Sequence, residues 1–164
     1  MTVVIAARLP EDEPFQTDFP VLDAVIRDDL DYWRILSSVW GSDTLVNVEH
    51  DVSATDDRIE DLLSFTHELC TVPYKVYPRD MATPVWAVHW QNGRWLTEGE
   101  RWATFSAIGF VKIEESAQDT RLRRTTWQYM EGAVAQAAVK GKRLWHVHWP
   151  AVEHRHDYTK RGRP

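Results

Sequence analysis

The stretch Leu45-Val46-Asn47-Val48-Glu49-His50-Asp51 joins an apolar, strand-like run to two carboxylates at spacing i and i+2. Side chains two apart on an extended chain leave the same face. Glu49 and Asp51 can therefore converge on one hard cation where the strand opens into a loop. That loop, 52–54, runs into Thr55-Asp56-Asp57-Arg58-Ile59-Glu60-Asp61-Leu62-Leu63, which reads as a capped helix. A strand end carrying Glu-x-Asp suits Mg²⁺ or Mn²⁺ held against a diphosphate, because such ions keep few protein carboxylates and borrow phosphate oxygens. An ordinary acidic turn between strand and helix would carry the same letters, and the motif taken alone favours that simpler reading.

Upstream, Thr2-Val3-Val4-Ile5-Ala6-Ala7 is short, apolar and β-branched, and Arg8-Leu9-Pro10 ends it as a buried strand. Residues 11–19 are acidic and contain proline, hence a loop. From Pro20 the apolar residues Leu22, Val25, Ile26, Trp33, Leu36 and Trp40 share one helical face, with Asp23, Asp28 and Asp31 off it, which predicts a helical region closed by Gly41-Ser42-Asp43. The order β, α, β, α favours an α/β sheet.

Downstream, 69–77 reads as a strand that ends at Pro78. Segments 84–90 and 93–96 flank Gln91-Asn92-Gly93, a hairpin signal. Residues 101–113 are β-rich, with Gly109 at a bulge or a close backbone approach. Thr125-x-x-Gln128 has the form of a capping box ahead of a helix faced by Trp127, Met130, Val134, Ala137 and Ala138. Lys140-Gly141 marks its end, and 144–148 is a final strand. The fold class expected is a single-domain, Rossmann-like mixed α/β sheet flanked by helices over 1–158, with a basic tail at 159–164.

The 164 residues suffice for one domain with a real core. A net charge of −6 lacks the basic footprint of a nucleic-acid binder. Lys160-Arg161-Gly162-Arg163 reads as a solvated end. The single cysteine, Cys70, excludes an intramolecular disulfide and suits a reducing compartment; in Leu69-Cys70-Thr71-Val72 it reads as a buried structural thiol. No segment has the apolar length of a membrane span or the layout of a signal peptide, so a cytoplasmic location is expected. Of the nine tryptophans most read as core or core-edge residues, and a few exposed ones could make a stacking surface for a sugar or a base.

Four of the seven histidines lie between His146 and His156. His146 and His148 would share one face of a strand, as would His154 and His156. Imidazole is a common ligand of divalent transition metals, although a surface or hydrogen-bonded role is the ordinary one for any single histidine. Nothing in the spacing matches a zinc finger or a His-Glu-x-x-His helix. Glu49 and Asp51 joined by a C-terminal histidine and two phosphate oxygens would make a reasonable Mn²⁺ shell.

In order and motif the chain resembles a small nucleotide-sugar-dependent glycosyltransferase of the GT-A fold. The resemblance rests on the N-terminal strand and its loop, the Asp-x-Asp-type Glu49-His50-Asp51, the segment Phe105-Ser106-Ala107-Ile108-Gly109-Phe110-Val111-Lys112-Ile113, and a late helix followed by Val147-His148-Trp149-Pro150. It spans roughly two thirds of the chain. It implies that Asp51 binds the metal, that Glu49 faces the ribose or the metal, and that His148, or after it His154, completes the shell. It also implies that Ala7 and Arg8 open the nucleotide loop. The first acid is Glu where the family motif has Asp, and the chain is short for this fold, which leaves the acceptor open.

Transfer from a nucleotide sugar requires the leaving diphosphate to be neutralised, which Mn²⁺ or Mg²⁺ does as a Lewis acid. An inverting enzyme also needs a carboxylate to take the acceptor's proton. Glu114, Glu115 and Asp119 are the candidates by position, though acids favour helix starts in any case; a retaining enzyme needs no such base. The acceptor is open among small molecule, glycan, protein and modified nucleobase. Two other classes stay in view: a metal-dependent hydrolase or nuclease centred on the C-terminal histidines, and a non-catalytic α/β binding module.

Overall fold

The computed structural model describes residues 1–76, 83–89, 94–138 and 143–155. The strands are β1 (Thr2–Arg8), β2 (Val21–Val25), β3 (Thr44–Glu49), β4 (Leu69–Thr71), β5 (Lys75–Val76), β6 (Val85–Trp86), β7 (Val88–His89), β8 (Trp102–Ala103), β9 (Phe105–Ser106), β10 (Phe110–Ile113) and β11 (Trp145–Val147). The helices are α1 (Asp31–Val39), α2 (Asp56–Ser64) and α3 (Met130–Ala138). Seven strands form one mixed sheet in the order β2-β1-β3-β10-β4-β11-β8. This is the α/β, Rossmann-like architecture expected. Two small pairs, β5-β6 and β7-β9, are built alongside it.

The consecutive buried residues Val4, Ile5, Ala6 and Ala7 show why β1 is central: both of its faces are covered. Alternate side chains feed two cores. Ile5, Ala7 and Leu45 join Tyr32 and Leu36 of α1 and Ala133, Val134 and Ala137 of α3. Val4, Val46 and Val48 join Ile59 and Leu62 of α2, with Cys70 and Phe110. Burial pushes the Cys70 thiol up to about 11, as befits a structural residue.

The helix expected from Pro20 to Trp40 divides. Val21-Leu22-Asp23-Ala24-Val25 is extended and pairs in parallel with β1, Ala7 opposite Ala24. Its apolar residues matched a helical face by coincidence of spacing, and ladder pairing decided the conformation. Helix α1 begins only after Asp31 Oδ2 has accepted from the backbone N–H groups of Arg27 and Asp28. Helix α2 starts as expected, with Thr55 accepting from the Arg58 N–H. The capping box at Thr125 does not form: Trp127–Tyr129 is a 3₁₀ turn with Thr126 at its cap and no side-chain bond there. Strand 69–77 is interrupted by Val72-Pro73-Tyr74 between β4 and β5. The Asn92-Gly93 hairpin, the Lys140-Gly141 helix end, His156 and the basic tail at 159–164 lie outside the described residues.

Strand β10 runs antiparallel between β3 and β4, with Phe110 opposite Val48 and Ile113 opposite Leu45. Its start therefore lies beside the end of β3. The Gly109 carbonyl accepts from the Glu49 N–H at 2.9 Å, and a Cβ at Gly109 would run into the Tyr74 phenol, which accepts from the Gly109 N–H. This is the close approach expected of Gly109.

The other end of β10 carries Lys112, fully buried, with Nζ on Glu114 Oε1 at 2.8 Å and donating to the Phe65 carbonyl. Removing one partner of a buried ion pair leaves an uncompensated charge. Glu114→Ala is expected to cost about 2 kcal/mol of folding stability, at the low side because Glu114 keeps some solvent contact. A denaturant midpoint shift at constant m-value measures it, and replacing both partners together, Lys112→Met with Glu114→Leu, should cost less than Glu114→Ala alone.

Candidate functional site

From β1 the chain moves to β2 on one side and then returns through α1 to β3 on the other. Connections that diverge in this way leave a crevice at the carboxyl ends of the strands, where ligands of open α/β sheets bind. Here the strand ends are in register. Ala7 lies opposite Glu49, and the His50 N–H donates to the Ala7 carbonyl at 2.8 Å. A cleft of about 300 Å³ opens there, lined by Ala7, Arg8, Phe15, Glu49, His50 and Arg155 among others. The Arg8 guanidinium bonds Asp23 twice, at 2.7 and 2.8 Å, and donates to the Asp12 carbonyl at 2.9 Å. Arg8 thus ties β1 to β2 and folds the start of the loop that walls the cleft.

Glu49 ends β3 on the face of α1. Its Oε1 accepts from the Tyr32 hydroxyl at 3.2 Å. Asn47, two residues back on the same face, donates to the Tyr32 oxygen at 2.6 Å and to the Ile108 carbonyl at 2.5 Å. Burial, followed by the nearby charges of Glu131 and Asp51, pushes the Glu49 carboxyl up to about 8. Glu131, in the first turn of α3, is pushed up to about 6 by burial.

Asp51 sits in the turn just past β3, so it does not share an extended face with Glu49 as the spacing suggested. It is brought to the site by segment 150–155, which docks on the loop. Ser53 N–H donates to the Glu153 carbonyl at 2.9 Å, Arg155 N–H donates to the Asp51 carbonyl, and Arg155 Nη2 donates to the His50 carbonyl at 2.7 Å. This places His154 Nε2 3.0 Å from Asp51 Oδ2. Burial alone would raise Asp51, but the His154 bond and the adjacent imidazoles outweigh it and hold the carboxyl below its ordinary value.

A second cleft of about 260 Å³ lies beyond, with Glu49, Tyr74, Trp95, Phe105, Glu131 and His154 in its wall. Glu49 lines both clefts. The donor set between them is two carboxylates and an imidazole. Among the described residues no group of three or more His, Cys, Asp or Glu side chains is arranged to hold a metal ion. A cation held here would have to complete its shell with ligands from outside these residues, such as phosphate oxygens.

Four of the residues singled out from sequence stand elsewhere. His148 is turned away: its Nε2 meets His146 Nδ1 at 2.9 Å, its ring packs on Phe65, and it borders a separate cleft with Arg58 and Asp61. The C-terminal histidines thus divide between two places. Glu114 pairs with Lys112 and accepts from Thr44 Oγ1 at the start of β3. Glu115 follows it in a 3₁₀ turn, and Asp119 faces Arg143 at 3.6 Å. The cause is the direction of β10: being antiparallel, it carries whatever follows Ile113 to the sheet edge opposite Glu49. The carboxylate that does reach the site, Glu131, was missed. Its signal was a lone charge in Met130-Glu131-Gly132-Ala133-Val134-Ala135, an otherwise apolar helix start. Tyr32, Trp95 and Arg155 were also missed.

No family model and no curated protein matches the chain. Among solved structures it is similar to the crystal structure of A197 from STIV, with a TM-score of 0.58 and 12% sequence identity, over 90% of this chain and 81% of that one. A likeness at that identity bears on the fold alone. No helix among the described residues is long and apolar enough to cross a membrane.

Two groups give opposite pH dependences of stability. Burial and the charges of His146 and His67 push His148 down from 6.5 to about 3. Between those values the unfolded chain binds the proton and the folded chain does not, so this contribution falls as pH falls. Glu49, raised from 4.5 to about 8, holds its proton when folded, so its contribution is lost as pH rises through that window. Melting temperature against pH should lose its acid-side slope in His148→Asn and its neutral-side fall in Glu49→Gln.

Proposed function

We propose that this chain is a divalent-cation-dependent glycosyltransferase that moves a sugar from a nucleotide-sugar donor to an acceptor hydroxyl. The observation that carries the reading is that Glu49 faces two clefts at once. A donor lying along the ends of β1 and β3 and an acceptor on the far side of Glu49 would meet at the Glu49-His50-Asp51 turn. The GT-A resemblance supports the same arrangement, since Ala7, Arg8, Glu49 and Asp51 all gather at one sheet edge.

Mg²⁺ or Mn²⁺ bound with the diphosphate, held by Glu49 and Asp51 with His154 beside it, would supply the positive charge that stabilises the leaving group. Arg155, anchored on the His50 carbonyl, adds a fixed cation to the donor cleft. The crowding of Glu49, Asp51 and Glu131 is costly without a counter-charge, and that cost favours a ligand bringing one. On the acceptor side Glu131 is the base. Its carboxyl, near 6, is ionised at neutral pH yet basic enough to accept a proton. The acceptor oxygen attacks the anomeric carbon, the bond to the diphosphate breaks, and the hydroxyl proton passes to Glu131. A base so placed is what inversion requires. The buried, unreactive thiol at Cys70 suits a reducing, cytoplasmic setting.

Thermal shift against nucleoside diphosphates and nucleotide sugars, with and without Mn²⁺, tests the reading. A rise that needs both metal and one nucleotide, and that Asp51→Ala abolishes, is expected. Metal alone giving the full rise, or no rise at all, would count against it. With the donor found, Glu131→Gln should lower turnover about 10²- to 10⁴-fold while leaving the donor shift in place. Asp119→Ala should leave turnover intact.

A further inference from the structure

We infer that the acceptor is an uncharged sugar ring, laid against Trp95 in the second cleft with its hydroxyls turned to Glu49 and Glu131. The inference rests on the transferase reading for what is done to the sugar, and on the cleft itself for what is bound.

The cleft has two chemically different walls. One is apolar and aromatic: Trp95, Phe105 and the small residues Ala87 and Ala107. Phe105 lies in β9, with Ala87 and Ala107 beside the two minor strand pairs, stitched to Tyr74 by the Ala87 N–H bond to the Tyr74 carbonyl at 2.9 Å and the Ala107 N–H bond to the Ala87 carbonyl at 2.9 Å. Trp95 is held by its chain neighbours: Leu96 N–H donates to the Val88 carbonyl at 3.1 Å, and Arg94 pairs with Glu100 at 2.8 Å. It nevertheless leaves 36% of its surface exposed. The other wall carries the carboxyls of Glu49 and Glu131, with His154 committed to Asp51.

A ligand for such a cleft needs one apolar face and an edge of hydroxyl donors. A pyranose has both, its C–H groups meeting the electron-rich face of an indole and its hydroxyls donating to carboxylates. Charge narrows the choice further. A phosphorylated sugar or a nucleotide within a nucleic acid would bring an anion against the Glu131 carboxylate, and among the described residues no Lys or Arg lines this cleft to offset it. A serine or threonine side chain offers the hydroxyl but no ring to cover Trp95. At about 260 Å³ the cleft lies below the range for drug-sized ligands, so it takes one ring and not an extended chain.

Binding without donor tests the inference on the intact chain. Saturation-transfer NMR would be run with a panel of neutral methyl glycosides, a sugar phosphate, a Ser/Thr peptide and a short single-stranded oligonucleotide. At least one neutral glycoside should bind, Trp95→Ala should weaken it about tenfold, and Trp95→Phe should restore most of the loss. Asp119→Ala, remote from the cleft and paired with Arg143, should retain binding, with the melting temperature of each variant checked for folding. The inference is overturned if no neutral glycoside binds, if Trp95→Ala leaves binding unchanged, or if the phosphate, peptide or oligonucleotide binds in a Trp95-dependent way instead. A Trp95-dependent glycoside with no Mn²⁺-nucleotide shift would sink the transferase reading and leave the sugar site standing. A nucleotide shift without a glycoside would do the reverse.

Discussion

The backbone at Glu49 is gripped from both sides, and the rest of the site follows from that. On one side β1 pairs in parallel, and the His50 N–H closes on the Ala7 carbonyl. On the other β10 pairs antiparallel, and the Glu49 N–H closes on Gly109. A strand end held by two neighbours cannot fray, so the carboxylate emerges from a rigid point between two clefts. Both neighbours accommodate it by being small where they touch: Ala7 on β1, and Gly109, whose missing side chain admits the Tyr74 ring.

Around that point the molecule tolerates an electrostatic arrangement that folding alone would not select. Glu49 and Glu131 are both held above their ordinary values, and Asp51 is kept ionised by the imidazole bonded to it. Carboxylates whose environments push them apart in acidity are a common mark of acid–base chemistry. The supporting network is polar and buried as well: Asn47 braces Tyr32, and Tyr32 in turn bonds Glu49. Such networks specify geometry more than they add stability.

What could be read from the letters depended on whether a signal was local. The buried run of β1, the strand into Glu49, the Thr55 cap and the close approach at Gly109 are all local facts, and all are present. Residues 21–25 were misread because five residues spaced for a helix also suit a parallel edge strand, and only pairing with β1 settles which forms. Glu114, Glu115 and Asp119 are candidates by their position just after the Gly109 strand, and the antiparallel run of β10 carries them away from Glu49. Strand direction is a property of the whole sheet and leaves no mark in the sequence of one strand. His148 and His154 look alike in sequence; only the docking of 150–155 on the loop after β3 separates them.

That docking has a kinetic consequence. His154 and Asp51 are 103 residues apart in the chain, and the segment bearing His154 is held outside the main ladder, by backbone bonds, one isolated bridge from Val52 to His154, and the side-chain bonds of Arg58, His154 and Arg155. Contacts so distant in sequence carry the full entropy of loop closure, and they reward it only after the sheet exists. The site is thus completed late on the folding route. Segments held outside the main ladder are the kind that open locally before a sheet unfolds. Such opening would release the imidazole and loosen the carboxylate pair while the seven-stranded sheet stays whole.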